Sequence, residues 1–240
     1  MEYLDMLAKI GAGTAHPGGF SATMEQLQAH PIPLHHHILE VGCGTGRTAC
    51  YLASKGYKVT AMDIRPDMLQ KAKKRAKAEG VEVEFIEGDA SNMTFANNQF
   101  DTILSESVTL FSGIAATLKE YYRVLKDGGT LYDREMLAMK PIPDELKQTI
   151  QDFYKIEQLL DMPAWESRIQ ESGFRNYEIW NPQPLTLGSL NDNIRYPDLQ
   201  QEADENAYDE KGLRDVVERY NEIMDKWLAY FGFGVVVGTK

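Results

Sequence analysis

Apolar positions fall in short blocks separated by glycines and polar turns, and the period of the blocks alternates along the chain. Residues 38–41 read as a short buried strand. Residues 45–55 follow with helical spacing and stop at Gly56, a C-cap residue. The pattern repeats: a strand over 58–63, then a helix over 66–79 with Pro66 in its first turn and Gly80 at its end. Strands over 83–86 and 100–105 come next, then a helix over 115–125, a turn at "KDGG" and a strand over 130–135. Strands alternating with helices at this spacing predict βαβ units and a parallel sheet.

Two regions depart from the alternation. Residues 1–37 contain two short helical patterns around the loop "GAGTAHPGGF", and "HPIPLHHH" leads into the first strand. Residues 138–232 predict several helices, a strand over 177–180 and the acidic run "NDNIRYPDLQQEADENAYDE". Residues 213–230 form an amphipathic helix with Val216, Val217, Tyr220, Ile223, Met224 and Trp227 on one side, expected to pack on its own sheet. The end, "FGFGVVVGTK", predicts a last strand that returns to the sheet after a long excursion.

The chain has 240 residues, 43% hydrophobic and 25% charged, the balance of a folded globular domain. No apolar run approaches a membrane span, and the N-terminus lacks the pattern of a signal peptide, so a cytoplasmic location is expected. The net charge of -11 opposes a nucleic-acid partner. The lysines and arginine between Lys71 and Lys77 read as a solvated helix face, and the acidic run at 191–211 as a solvated surface excursion. Cys43 and Cys50 are expected to be reduced thiols. His35, His36 and His37 are adjacent on an extended segment and alternate faces, so no metal site is expected there.

The densest chemical signal is "ILEVGCGTG", where Gly42, Gly44 and Gly46 alternate directly after a buried strand. Such a turn lets backbone N–H groups approach a nucleotide-like ligand at the carboxyl end of a sheet. The spacing is not that of a P-loop. A dinucleotide fingerprint calls for a third glycine where Arg47 stands. The loop instead resembles the signature of class I S-adenosylmethionine-dependent methyltransferases, and "EGDA", "FDTILSES" and "EYYRVLKDGGTL" resemble that family's later segments in order. The resemblance covers roughly residues 36–136.

It implies an α/β fold: a Rossmann-like, doubly wound, mostly parallel seven-stranded sheet with helices on both faces. Residues 1–37 would form an N-terminal helical lid, residues 38–137 the donor-binding core, and residues 138–240 the rest of the same domain with a helical insertion. The implied methyl donor is S-adenosyl-L-methionine and the acceptor a small molecule, in a monomer or homodimer. Asp63 would meet the ribose hydroxyls, Asp89 the adenine amino group with Ala90 beside the ring, and Glu40 the methionine ammonium. Gly42, Cys43, Gly44, Gly46, Ile64, Met68, Ser105 and Glu106 would complete the donor site. His16, Glu106 and Glu135 are the candidates for a base if the acceptor needs one. A nicotinamide-dependent oxidoreductase and a non-catalytic S-adenosylmethionine-binding module are the competing readings.

Overall fold

The computed structural model describes residues 1–188 and 195–240. Its seven strands form one sheet in the order β3-β2-β1-β4-β5-β7-β6. These are β1 (His37–Val41), β2 (Lys58–Asp63), β3 (Glu84–Glu87), β4 (Phe100–Glu106), β5 (Leu125–Ala138), β6 (Asn176–Pro184) and β7 (Phe231–Thr239). The first five run parallel, and β7 is antiparallel to both β5 and β6. The mostly parallel seven-stranded sheet expected above is therefore present. Order reverses between β1 and β4, so the carboxyl ends of those two strands flank the crevice where doubly wound sheets bind ligands.

Strand residues divide between two apolar layers because successive side chains point to opposite faces. Ile38, Val59, Ala61 and Leu104 join Ala49 and Leu52 of α3 (Arg47–Ser54) and Leu69 of α4 (Pro66–Glu79). Leu39, Val41, Met62 and Ile103 join α5 (Ile114–Val124) and α7 (Met162–Glu171) through Leu118, Tyr121, Trp165 and Ile169. Four further helices are α1 (Tyr3–Ile10), α2 (Gly19–Ala29), α6 (Asp144–Tyr154) and α8 (Lys211–Trp227). Among the described residues no helix is long and apolar enough to cross a membrane.

Four expectations are corrected. The "KDGG" turn lies inside β5: Gly128 takes φ 78°, and residues 128 and 129 exchange backbone hydrogen bonds with Lys240, so β7 captures the turn as an irregularity of the strand. The helix after the glycine loop starts at Arg47, because Gly46 at φ 75° is left-handed and cannot be helical. Helix α8 ends at Trp227, and it lies chiefly against α1 and the short 3-10 turns at its own ends rather than flat on the sheet. Finally, the basic face of α4 is not simply solvated. Arg75 makes a bidentate pair with Asp198 at 2.7 and 2.8 Å, with both side chains 4% exposed. Lys71 reaches Asp204 and Lys74 reaches Glu202, both at 2.7 Å. Residues 198–204 of the acidic run thus lie as a strap along α4, and Glu210 pairs with Lys9 of α1, while 191–194 fall outside the described residues.

Candidate active site

A cavity of about 760 Å³ opens beyond the carboxyl ends of β1, β2, β4 and β5. Its volume is within the range of ligand pockets. The glycine loop forms one wall, and its three glycines serve two different needs. A Cβ on Gly42 would stand 2.2 Å from Val108, and one on Gly46 would stand 2.9 Å from Ala72 of α4. Both are packing glycines, and Gly46 does not line the cavity. Gly44, at φ 53°, has nothing nearer than 3.8 Å where its Cβ would be, so this is the glycine that leaves open space in the cavity wall.

Acidic side chains gather at the strand ends. Asp63, at the end of β2, accepts the Gly44 N–H at 2.8 Å through one oxygen and the Arg65 N–H at 2.9 Å through the other. It ties the glycine loop to the start of α4, and burial raises it from the ordinary carboxylate range against those two bonds. Glu40, 5% exposed, has one carboxylate oxygen with no partner. Burial, then the charges of Glu106 and Asp63, push it well above the ordinary range. An orphaned buried carboxyl of this kind fits a cationic ligand group, which would let it ionise. Cys43, Ile64, Met68, Asp89 and Ala90 also line the cavity. The Asp89 carboxylate accepts the Ser91 N–H and hydroxyl at 2.8 and 2.7 Å. Ser105 does not line it: its hydroxyl accepts from Tyr121 at 3.0 Å, inside the layer that holds Asp133.

Glu106 ends β4. Thr23 and Thr48 donate to its two oxygens at 2.6 and 3.0 Å, and Arg134 Nε and His16 Nε2 lie at 3.5 and 3.6 Å. Burial alone would raise this carboxyl, but the neighbouring cations and hydroxyl donors hold it below its usual range. His16 lines the cavity and is 9% exposed, and burial lowers its pKa, which keeps the ring neutral. Its Nε2 faces acceptors, Thr23 Oγ1 at 3.4 Å and the Glu106 carboxylate. Nδ1 is buried without a hydrogen-bond partner. Arg134 locks α2 in place by donating to Ala22 O at 2.7 Å and Gln26 Oε1 at 2.9 Å. Glu135 also touches the cavity, but one of its oxygens caps the Val108 and Thr109 N–H groups at 2.8 and 2.7 Å. Burial and the neighbouring Asp133 push it up, and burial brings Asp133 to about 7.

The outer-segment aromatics offered an apolar acceptor lining from the sequence, and of these Phe111 and Tyr154 line the cavity. Sequence reasoning missed Tyr3, Met6, Tyr220 and Met224, which come from α1 and α8, and Asp198 from the strap. Each sits far in sequence from the glycine loop; the helical ones had only amphipathic spacing as a signal, and Asp198 had none. His16 is the exception, since its glycine-rich surroundings marked it.

The profile of a family described as "Methyltransferase domain" matches residues 38–129. Over the whole chain, 34% of residues are identical to an uncharacterized methyltransferase, YodH, of Bacillus subtilis, spanning 99% of that protein. A demethylmenaquinone methyltransferase of Chlorobaculum parvum is 31% identical over 62% of this chain and 69% of its own length. In three dimensions, the fold matches Haemonchus contortus phosphoethanolamine N-methyltransferase 2, solved with S-adenosyl-L-methionine, at a TM-score of 0.75 and 20% identity. That match takes in 99% of this chain and 57% of the other. Glycine loop, sheet order and full-length relative agree, and the chain belongs to the class I S-adenosylmethionine-dependent methyltransferases.

Proposed function

We propose that this protein methylates a small-molecule acceptor held in the same cavity as its donor. The observation that carries the reading is the buried, unpartnered oxygen of Glu40 in the same cavity wall as the open space at Gly44, which fits the cationic amino-acid end of S-adenosylmethionine. When bound, that molecule supplies a methyl group already activated on a sulfonium, for in-line transfer. Glu40 would hold the ammonium and Asp63 the ribose hydroxyls, with Gly42, Cys43 and Gly44 along the methionine end. Asp89 and Ala90, with Ile64 and Met68, would hold the adenine. Gly46 would support this site through packing and Ser105 through its layer.

The protein's remaining task is to position the acceptor and exclude water. The N-terminal segment 1–37 would serve as the lid, fastened by the Glu106, Thr23 and Arg134 contacts. His16 would take the acceptor's proton through Nδ1, after a shift of the 12–18 loop that uncovers it. Glu106, held by Thr23 and Thr48 beside the His16 ring, would orient His16. The test is thermal unfolding with S-adenosylmethionine, S-adenosylhomocysteine, NAD or no ligand. At roughly 100 times its dissociation constant a ligand adds about 2.7 kcal/mol to native stability. A shift with the two sulfur nucleotides alone supports the reading; a shift with NAD alone, or with none, overturns it.

A further inference from the structure

Helices α1, α6 and α8 meet on one side of the cavity, and each brings one tyrosine: Tyr3, Tyr154 and Tyr220. Their rings form one cluster. Tyr3 and Tyr154 meet edge-on with centroids 4.9 Å apart, and Tyr3 and Tyr220 lie nearly parallel at 6.3 Å. Phe153 backs the cluster, 5.5 Å from Tyr3 and 4.8 Å from Tyr154.

A buried tyrosine ordinarily finds a hydrogen-bond partner for its hydroxyl. Tyr154 is 5% exposed and Tyr3 and Tyr220 are half-buried, yet among the described residues no hydrogen bond is made by any of the three hydroxyls. Nor are they sealed into the core as orphaned oxygens. Three O–H groups therefore stand unpaired on the wall of a cavity that already has a donor end.

The surrounding chemistry selects what they can bind. Burial raises all three phenols, so each is a neutral donor at working pH. Met6, Leu7, Ile156 and Met224 make the nearby lining apolar. Among the described lining residues the one arginine, Arg65, is held by Asp5 and Asp67 at 2.8 and 2.9 Å. Glu40, Asp63 and Glu106 are in the same cavity. An anion would meet carboxylates and no available cation.

We infer that Tyr3, Tyr154 and Tyr220 form the acceptor-recognition subsite and hold an uncharged oxygen, a hydroxyl or carbonyl, on an otherwise apolar acceptor. The inference rests on the methyl-transfer reading above. It is tested on the full chain saturated with S-adenosylhomocysteine, using three probes that share one ring: naphthalene, 2-naphthol and 2-naphthyl phosphate. Binding is followed by calorimetry or probe fluorescence. The subsite requires 2-naphthol to bind at least about tenfold more tightly than naphthalene, the scale of one to two satisfied hydroxyl bonds. Combining Tyr3→Phe, Tyr154→Phe and Tyr220→Phe keeps the rings and must abolish that preference, with S-adenosylhomocysteine affinity unchanged as proof of folding. Equal binding of naphthol and naphthalene, a preference that survives the triple substitution, or tightest binding of the phosphate each overturns the inference. A wild-type chain that does not take up S-adenosylhomocysteine overturns the donor reading itself, and the subsite with it.

Discussion

At the scale of single residues, the site depends on how few partners its polar groups have. Glu40 is buried and short of a partner, so burial favours its protonated form. Donor binding near pH 7 should then release protons, read as an apparent binding enthalpy that depends on the ionisation enthalpy of the buffer. That dependence should shrink in Glu40→Gln; an unchanged dependence would remove Glu40 from the donor site. Asp63→Ala should weaken S-adenosylmethionine binding by about 1–3 kcal/mol, the scale of lost hydrogen bonds to a charged group. It should also lower stability, since Asp63 braces both Gly44 and Arg65. For His16, burial places the acid limb of turnover below the ordinary histidine range near 6.5. Replacing it with Gln should remove that limb and most turnover while donor affinity stays. Its contribution to stability follows the same sign: it is full above the unfolded value of about 6.5 and falls as pH drops toward the lowered folded value.

Elements come next in scale, and here the glycine loop separates into parts that can be tested against each other. Gly46→Ala forces a methyl to within 2.9 Å of Ala72 at a left-handed φ, so it should cost about 1–3 kcal/mol of stability, seen as a lower Tm. Gly44→Ala has space for its methyl but is strained at φ 53° and fills the cavity, so it should lower donor affinity, where Gly46→Ala lowers stability alone. Both glycines were legible in the sequence as one motif. Their different duties were not, because a Cβ clash with α4 depends on how two helices pack. Strand β5 carries a second device, the Asp133 and Glu135 pair beneath the turn after β4. Asp133 titrates at about 7, so its protonated form stabilises the fold below the unfolded value near 3.9, and that contribution is lost as pH rises to about 7. Asp133→Asn should therefore raise Tm above pH 7 relative to wild type, with the gain fading toward pH 4.

Over the whole molecule, two regions outside the alternating core contribute to the lining of the cavity. The N-terminal segment is fastened through Glu106 and Arg134, and the strap through ion pairs to α4 and Lys9 to Glu210 at 2.6 Å. The buried member of that set is the Arg75–Asp198 pair, and Arg75 also donates to the Thr45 carbonyl beside the glycine loop at 3.0 Å. Asp198→Ala leaves Arg75 buried without its counter-charge and should cost roughly 3–5 kcal/mol of stability. Since Asp198 lines the cavity, stopped-flow release of donor should also quicken; unchanged release would separate the strap from the site. By itself the sequence determined the alternating α/β core, the glycine loop, and Asp63 and Glu40 at the strand ends, because local periodicity and turn chemistry act over a few residues. Tertiary structure alone decided that α4 meets the acidic strap, that Ser105 turns inward while Glu106 is held by Thr23 and Thr48, and that three tyrosines from distant helices converge. Those contacts join segments separated by up to about two hundred residues, and pairing over such distances leaves no periodic trace in the chain.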